Sequence, residues 1–285
     1  MSDSVIMFIG QIFNGLKIGS VYSLVALGYT MVYGIIRLIN FAHGDFIMVG
    51  SYALMLTIPF IIACGLPAWF AVIPAVLVCV AVGIIVERAA YKPVREKGNN
   101  MTALITAIAM SLLLENGSQA LFGADYQTVP TIVEIPTLVL GKLKIDGATI
   151  ITVLLGIAIM VALQLFVSLT KAMRAVSEDK EASILMGINV NSTITLTFAI
   201  GSGLAAVAAL MYCISYPQVS PMMGAMLGLK AFVAAVLGGI GSIPGAMVGA
   251  KLVPKVPERT LRFMFSFFLV VAAVLLVVNQ LGVWG

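Results

Sequence analysis

Charged residues are scarce in this chain. Asp, Glu, Lys and Arg make up 10% of its 285 residues, against roughly 25% in soluble globular domains. Hydrophobic residues make up 61%. This scarcity of charge excludes an ordinary water-soluble domain and indicates an all-α protein that crosses a membrane several times. The net charge of +4 comes from loop lysines and arginines, and it does not indicate nucleic-acid binding.

Residues that carry metal and acid–base chemistry are also few. The chain has one histidine, His43, and three cysteines, which lie in or beside apolar runs without metal-ligand spacing. Intramembrane proteolysis needs a Ser/His dyad, two aspartates or a zinc site. We place His43 and Asp45 at a span boundary, so that no predicted span contains an aspartate in its interior. We therefore predict no metal, no cofactor bound by this chain and no enzymatic activity.

Eight apolar runs are the candidates for crossing a bilayer core of about 30 Å. They are residues 5–36, 44–64, 68–86, 101–122, 148–170, 192–214, 224–250 and 261–280. The first run is too long for a signal peptide and is predicted to be a retained span. The seventh is interrupted by glycines and a proline, among them Gly239, Gly241 and Pro244. We expect either a re-entrant element there or a loop between two short helices, covered by protein or a water-lined cavity.

The basic residues indicate the orientation. An N-terminus outside the cell places twelve of the sixteen lysines and arginines on the cytoplasmic side, as the positive-inside rule favours. These are Arg37, Arg88, Lys92, Arg95, Lys97, Lys171, Arg174, Lys180, Lys251, Lys255, Arg259 and Arg262. The outer loop 123–147 is rich in β-branched residues and is predicted to hold short strands at 127–129 and 132–135, with a possible hairpin partner at 142–145.

Residues 174–189 form the longest hydrophilic run with helical character. The charges at 178–181 would surround a helix, residues 182–186 favour a helix with one apolar side, and Gly187 is a natural end for it. We expect one short amphipathic helix whose apolar side faces the membrane domain. Its charged side would either dock a cytoplasmic partner or form a solvated loop.

Ionisable residues within the spans bear on the mode of transport. A proton- or sodium-driven transporter usually carries them, and here Glu115 is the best candidate, with Lys230 second. We interpret Glu115 as a carboxylate near the outer interface, satisfied by a polar neighbour such as Asn116 or Gln119. A permease driven by separate ATPases needs little ionisable chemistry, but it needs a cytoplasmic coupling helix and closely packed helices. Gly224/Gly228 and the later glycines provide small-xxx-small packing sites.

Three blocks of sequence resemble the permeases of high-affinity branched-chain amino acid ABC importers, of the first-permease type. They are LGYTMVYGIIRLINFAHGDFIMVG at 27–50, EDKEASILMGIN at 178–189 and GLKAFVAAVLGGIGSIPG at 228–245. The resemblance covers about residues 8–250 of a single permease domain spanning 1–285. The tail, 251–285, departs from the family pattern, and its basic, Pro-containing start bears a weak similarity to small anion exporters. This departure puts in doubt the last crossing and the assembly with a second permease.

The resemblance implies a type II importer architecture in the bacterial inner membrane. The partners would be a second permease, two cytoplasmic subunits that bind and hydrolyse ATP, and an extracytoplasmic substrate-binding protein. The substrate would be branched-chain amino acids, or related amides or urea. A stand-alone secondary transporter of a small solute is the alternative.

The resemblance also implies roles for particular residues. The coupling region to the ATPases would include Arg174, Glu178, Glu181, Ala182 and Gly187. The segment with Asn40, His43 and Asp45 would be a structured break between the first two spans. Its polar side chains would cap exposed backbone rather than contact substrate.

Overall fold

The computed structural model describes residues 3–36, 40–97, 100–133, 136–140 and 143–237. Ten α-helices lie within these ranges. They are α1 (Asp3–Ile36), α2 (Asp45–Ala63), α3 (Val72–Val86), α4 (Lys92–Lys97), α5 (Asn100–Phe122), α6 (Gly147–Leu169), α7 (Lys171–Glu178), α8 (Lys180–Leu185), α9 (Val190–Ser215) and α10 (Met223–Leu237). Short 3₁₀ turns cover Phe41–His43 and Ala68–Ala71, and a π-helical turn, Glu87–Tyr91, joins α3 to α4.

Six apolar helical segments in the described part of the chain are long enough to cross a membrane. They are Ile12–Ile36, Phe41–Ala63, Ala68–Glu96, Thr102–Phe122, Gly147–Val167 and Val190–Ser215. They correspond to the first six predicted runs, so a multi-pass membrane protein is confirmed. Helix α10 covers the start of the seventh run. The Gly-rich break with Gly239, Gly241 and Pro244, and the eighth run, lie outside the described residues.

Helices α1 and α9 form the centre of the bundle. In the apolar window of the α1 span 83% of residues are buried, and in that of α9 67%, whereas the α5 window is only 11% buried. Both central helices carry small residues where neighbours approach closely, such as Ala205, Ala208 and Ala209 of α9, all fully buried. The outer helices α5 and α6 therefore present apolar side chains to the surroundings, as a bilayer requires.

Two small antiparallel ribbons lie at one end of the bundle, here called the hairpin end. β2 (Leu138–Leu140) pairs with β3 (Leu143–Ile145), and β1 (Gln127–Thr128) pairs with β4 (Gln218–Val219). The strand predicted at 132–135 is wrong for its first two residues, which are irregular; the other two lie outside the described residues. The partner of the third predicted strand is instead 138–140. The distant pairing with β4 has no local sequence signal.

The other end of the bundle, the α8 end, holds α7, α8 and the ends of α1 and α3. Lys180 Nζ donates a hydrogen bond to the carbonyl of Ile36, at 3.2 Å, and Arg95 donates to Asn191 Oδ1 at 2.7 Å. The segments containing Lys92, Arg95, Arg174 and Lys180 thus meet at one end, as the charge distribution predicted.

Residues 174–189 form two helices rather than the one that was predicted. Asp179 has an extended backbone (φ −145°, ψ 116°) and separates α7 from α8. Its side chain accepts hydrogen bonds from the backbone N–H groups of Glu181 (2.8 Å) and Ala182 (3.0 Å). An aspartate N-cap is a strong helix start, so the charged run restarts the helix and does not continue it.

Candidate functional site

The break between α1 and α2 lies deep inside the bundle. Ser111, near the middle of its span, donates a hydrogen bond to the Asp45 carboxylate, and Gly201, near the middle of its own, lies beside His43. The 3₁₀ turn Phe41–His43 therefore lies level with the middle of the α5 and α9 spans, and not at the end of the bundle, where we expected a span boundary. Backbone of this kind is tolerated in a membrane only under protein cover, and residues 42–48 are all buried.

Asp45 is a fully buried carboxylate within a candidate span, so the prediction that no span contains an aspartate is wrong. Its Oδ2 accepts a hydrogen bond from Ser111 Oγ at 2.5 Å, whereas Oδ1 has no hydrogen-bond partner among the described residues. An ionisable group at such depth is expensive and is by default associated with function. The sequence gave no sign of this depth, because it depends on a contact between Asp45 and α5, 66 residues further along the chain.

His43 packs as an aromatic ring. Its centroid lies 4.8 Å from that of Tyr29 and 5.9 Å from that of Phe46, both in edge-to-face geometry. The ring rests against Gly28, where a Cβ would collide with Nε2. Neither ring nitrogen makes a hydrogen bond within the described part of the chain.

Asn40 connects the same break to the α8 end. Its Oδ1 accepts a hydrogen bond from Tyr91 Oη at 2.8 Å. Its side chain makes no capping hydrogen bond to the 3₁₀ turn that follows. The polar groups of the break thus bind side chains of α5 and of the π-helical turn, where capping of local backbone was expected.

Two glycines of α10 lie against this break. A Cβ on Gly44 would lie 2.5 Å from the carbonyl oxygen of Gly224 and 2.6 Å from the Cα of Gly228. The small-xxx-small pair singled out in the sequence therefore packs directly on the α1–α2 connection.

A cavity of about 380 Å³, here the lateral cavity, opens between α5 and α10. Glu115, only 8% exposed, lines it together with Ser111, Tyr29 and Phe232. The neighbouring Asn116 donates its amide hydrogen bond to the carbonyl of Leu112 at 2.7 Å. Glu115 therefore faces a cavity that begins beside Asp45, and the role of its carboxylate remains a prediction.

A second cavity of about 440 Å³, here the lysine cavity, lies at the hairpin end between α1, α9 and α10. Two lysines line it, Lys17 and Lys230, together with four tyrosines and three methionines. Lys17 forms an ion pair with Asp146 at 3.3 Å. The sequence indicated Lys230 as a candidate but gave no sign that it shares a cavity with Lys17, because the two lysines are more than two hundred residues apart.

A buried carboxylate ties the π-helical turn to α4 and α9 at the α8 end. Glu87 is fully buried and pairs with Arg95 at 3.3 Å. Thr195 Oγ1 donates to the other carboxylate oxygen at 2.9 Å. This network was not predicted, since Glu87 and Arg95 read in sequence as ordinary loop charges.

The surface of α7 and α8 is divided between the two helices. Met173 and Val176 of α7 are buried against the bundle. In contrast, Ile184, Leu185 and Met186 are 61%, 88% and 79% exposed. The apolar side of α8 thus faces away from the membrane domain, opposite to the orientation expected from the sequence.

Gly187 ends α8 as predicted. Its φ is +79°, its N–H donates to the carbonyl of Ile184, and the N–H of Ile188 donates to that of Ser183. This pair of bonds is a Schellman motif, which favours glycine. The five residues assigned to a coupling region, Arg174, Glu178, Glu181, Ala182 and Gly187, are all exposed.

Comparison with known proteins gives a consistent result. The family described as branched-chain amino acid transport system, permease component, matches residues 11–279. This match runs through most of the 251–285 tail that the sequence analysis set apart.

Individual relatives agree with the family match. The chain is 42% identical to the high-affinity branched-chain amino acid transport system permease protein BraD of Pseudomonas aeruginosa, over 86% of this chain and 83% of that one. It is 41% identical to the corresponding permease protein LivH of Escherichia coli K12, over 88% and 85%. It is also 30% identical to the E. coli K12 xylose transport system permease protein XylH, over 52% of this chain and 35% of the relative.

Proposed function

Because the chain belongs to the family of permease components of branched-chain amino acid transport systems, we propose that it forms part of the path by which an ATP-driven importer brings leucine, isoleucine and valine into a bacterial cell. It is a transport subunit and not an enzyme. The relatives named for branched-chain amino acids match along most of both chains, whereas the xylose permease matches over 35% of its own length. The amino acid is therefore favoured over a sugar.

The observation that carries the coupling proposal is the exposed apolar tip of α8. Three consecutive large apolar side chains, Ile184, Leu185 and Met186, project away from the bundle, and exposed charged residues of α7 and α8 surround them. An apolar centre with a polar rim is the usual composition of a protein interface. We assign this surface to docking on the ATP-hydrolysing subunits, which places the α8 end in the cytoplasm.

The remaining partners follow from the same proposal. A second permease, two ATPase subunits and an extracytoplasmic binding protein would complete a type II importer in the inner membrane. The hairpin end would then face the binding protein. What supports this orientation is the clustering of basic residues at the α8 end.

The experiment is purification of the tagged permease from its native membrane, with mass spectrometry of the proteins that accompany it. We expect two ATPases and a second permease. Leu185→Ser should reduce the recovery of the ATPases, because a hot-spot side chain contributes about 2 kcal/mol, or roughly thirtyfold in affinity. The second permease should be recovered as before.

Leu138→Ser is the matched control, since Leu138 is 47% exposed at the hairpin end. It should leave the ATPase recovery unchanged. Normal recovery of the ATPases with Leu185→Ser would contradict the assignment of α8 as the docking surface. A permease that purifies alone and moves leucine in vesicles without ATP would replace the importer with a secondary transporter.

A further inference from the structure

The lysine cavity is built from one face of α10. Met223, Met226, Leu227 and Lys230 line it at intervals of three and four residues, the spacing of a single helix face. Tyr22 and Tyr212, from the two central helices, are on the opposite walls. The cavity therefore reaches from the hairpin end into the bundle, between α1, α9 and α10.

Lys230 carries a charge that no described residue balances. It is half-buried in an otherwise apolar helix and makes no ion pair or hydrogen bond with any described residue. The described residues that line the cavity include no aspartate or glutamate. Lys17, in the same cavity, is already paired with Asp146. A cation within a span normally has a partner, so an external anion is the natural partner of Lys230.

The rest of the lining indicates what kind of anion this is. Met222, Met223 and Met226 provide flexible thioether surface, which adapts to irregular apolar groups. Tyr126 and Tyr216 add aromatic faces with hydroxyl groups. One lysine without a described ion-pair partner, surrounded by such side chains, suits a small molecule with one carboxylate and one branched aliphatic group. It suits a phosphorylated or multiply charged solute poorly.

We infer that the lysine cavity is the first substrate site of the permease, in which Lys230 binds the α-carboxylate of the amino acid and the methionines and tyrosines contact its side chain. This inference rests on the proposed function, because it takes the substrate class from it. Lys230→Met should lower the catalytic efficiency of leucine uptake at least about tenfold, the loss expected for one charge-assisted hydrogen bond. Lys230→Arg should restore part of it.

A binding assay tests the site without requiring transport. Met222 is 65% exposed and lines the cavity, so Met222→Cys provides a reporter. Cys64 is exposed and is replaced by serine, whereas Cys79 and Cys213 are buried. The rate of reaction with a sulfonate-bearing methanethiosulfonate is measured on the purified permease complex, with saturating leucine, with isopentylamine, or with neither.

Leucine should slow the labelling, and isopentylamine, which has the same branched chain but no carboxylate, should not. The protection should disappear in Lys230→Met and persist in the control Lys92→Met, which removes a lysine of α4 at the α8 end, outside the cavity. Equal protection by both ligands, or protection that survives Lys230→Met, would overturn the assignment. Protection by the binding protein without leucine, or by anionic lipid vesicles alone, would also overturn the assignment. In either case the anion that binds Lys230 would be a protein or lipid group and not leucine.

If Lys230→Met is missing from the membrane, the comparison of leucine with isopentylamine on the Lys230 protein still decides the inference. Leucine uptake by the unsubstituted complex in vesicles with ATP tests the proposed function separately. ATP-driven uptake without protection of Met222→Cys by leucine would contradict the lysine cavity as a substrate site and would support the proposed function. Protection by leucine without ATP-driven uptake would support the lysine cavity as a substrate site and would contradict the proposed importer function.

Discussion

At the scale of single residues, Gly44 has the least room for change. Its Cα lies against the backbone of Gly224 and Gly228, and any Cβ there would come within 2.6 Å of Gly228 Cα. We expect Gly44→Ala to cost about 1–3 kcal/mol, the range for overpacking a tight interior, and to lower the apparent melting temperature in detergent.

The control for this substitution is Gly15→Ala in α1, where a Cβ meets nothing within 4 Å. It should leave the melting temperature unchanged or raise it slightly, because alanine is the better helix former. Equal melting temperatures for both variants would contradict the close packing of α10 on the α1–α2 connection.

The sequence identified the important polar residues but not their surroundings. Asn40, His43 and Asp45 stand out because they interrupt an apolar stretch. Their depth in the bundle depends on packing against α5 and α9, which the sequence does not show. Glu115 was likewise visible as a lone carboxylate, but the lateral cavity that it faces is formed with α10, more than a hundred residues away.

At the scale of helices, the end of α8 carries a testable backbone requirement. Gly187 has a φ of +79°, and a β-branched residue there costs about 1–3 kcal/mol. Gly187→Val should distort the tip of α8 and abolish most leucine uptake while the permease remains in the membrane. Uptake per amount of membrane-inserted protein is the measurement.

Gly123→Val gives the matched control. Gly123 has a similar φ of +85° and directly follows α5, at the hairpin end of the bundle. It imposes comparable strain far from α8 and should retain most uptake. Similar losses in the two variants would indicate general destabilisation, and full uptake by Gly187→Val would contradict the coupling role of α8.

The sequence predicted where this amphipathic region ends better than how it is organised. Gly187 provides a local signal for a helix end that needs no knowledge of the fold. The break at Asp179 also had a signal, since aspartate is a preferred N-cap, but the surrounding helix formers favoured one continuous helix. Neither Gly187 nor Asp179 indicates that Leu185 points outward, because that orientation depends on α7 occupying the position next to the bundle.

At the scale of the whole molecule, native cysteine reports the orientation. Cys64 is exposed in the turn after α2, near the hairpin end, and Cys79 and Cys213 are buried. A membrane-impermeant maleimide should label Cys64 in cells whose outer membrane has been made permeable. In a Cys64→Ser background expressed without the ATPase subunits, which would otherwise cover this surface, Leu185→Cys should be labelled only in inside-out vesicles.

Labelling of Leu185→Cys in whole cells, without labelling in inside-out vesicles, would show that the orientation is the reverse of the one proposed.

The first six spans could be predicted because long apolar runs and basic loops are properties of composition. The β1–β4 pairing, the Glu87–Arg95 ion pair and the two cavities could not, since each joins segments that only the folded bundle brings together.

The buried break between α1 and α2 also constrains how the protein is made. Asp45 reaches the insertion machinery early, and an aspartate at the centre of a bilayer costs roughly 2.5–3.5 kcal/mol on insertion scales. The glycine face of α10 that covers the break emerges from the ribosome roughly ten to forty seconds later, at bacterial elongation rates. During that interval the first turn of α2 lacks the cover that Gly224 and Gly228 later provide, so we expect the nascent permease to be more accessible to membrane proteases than the complete chain.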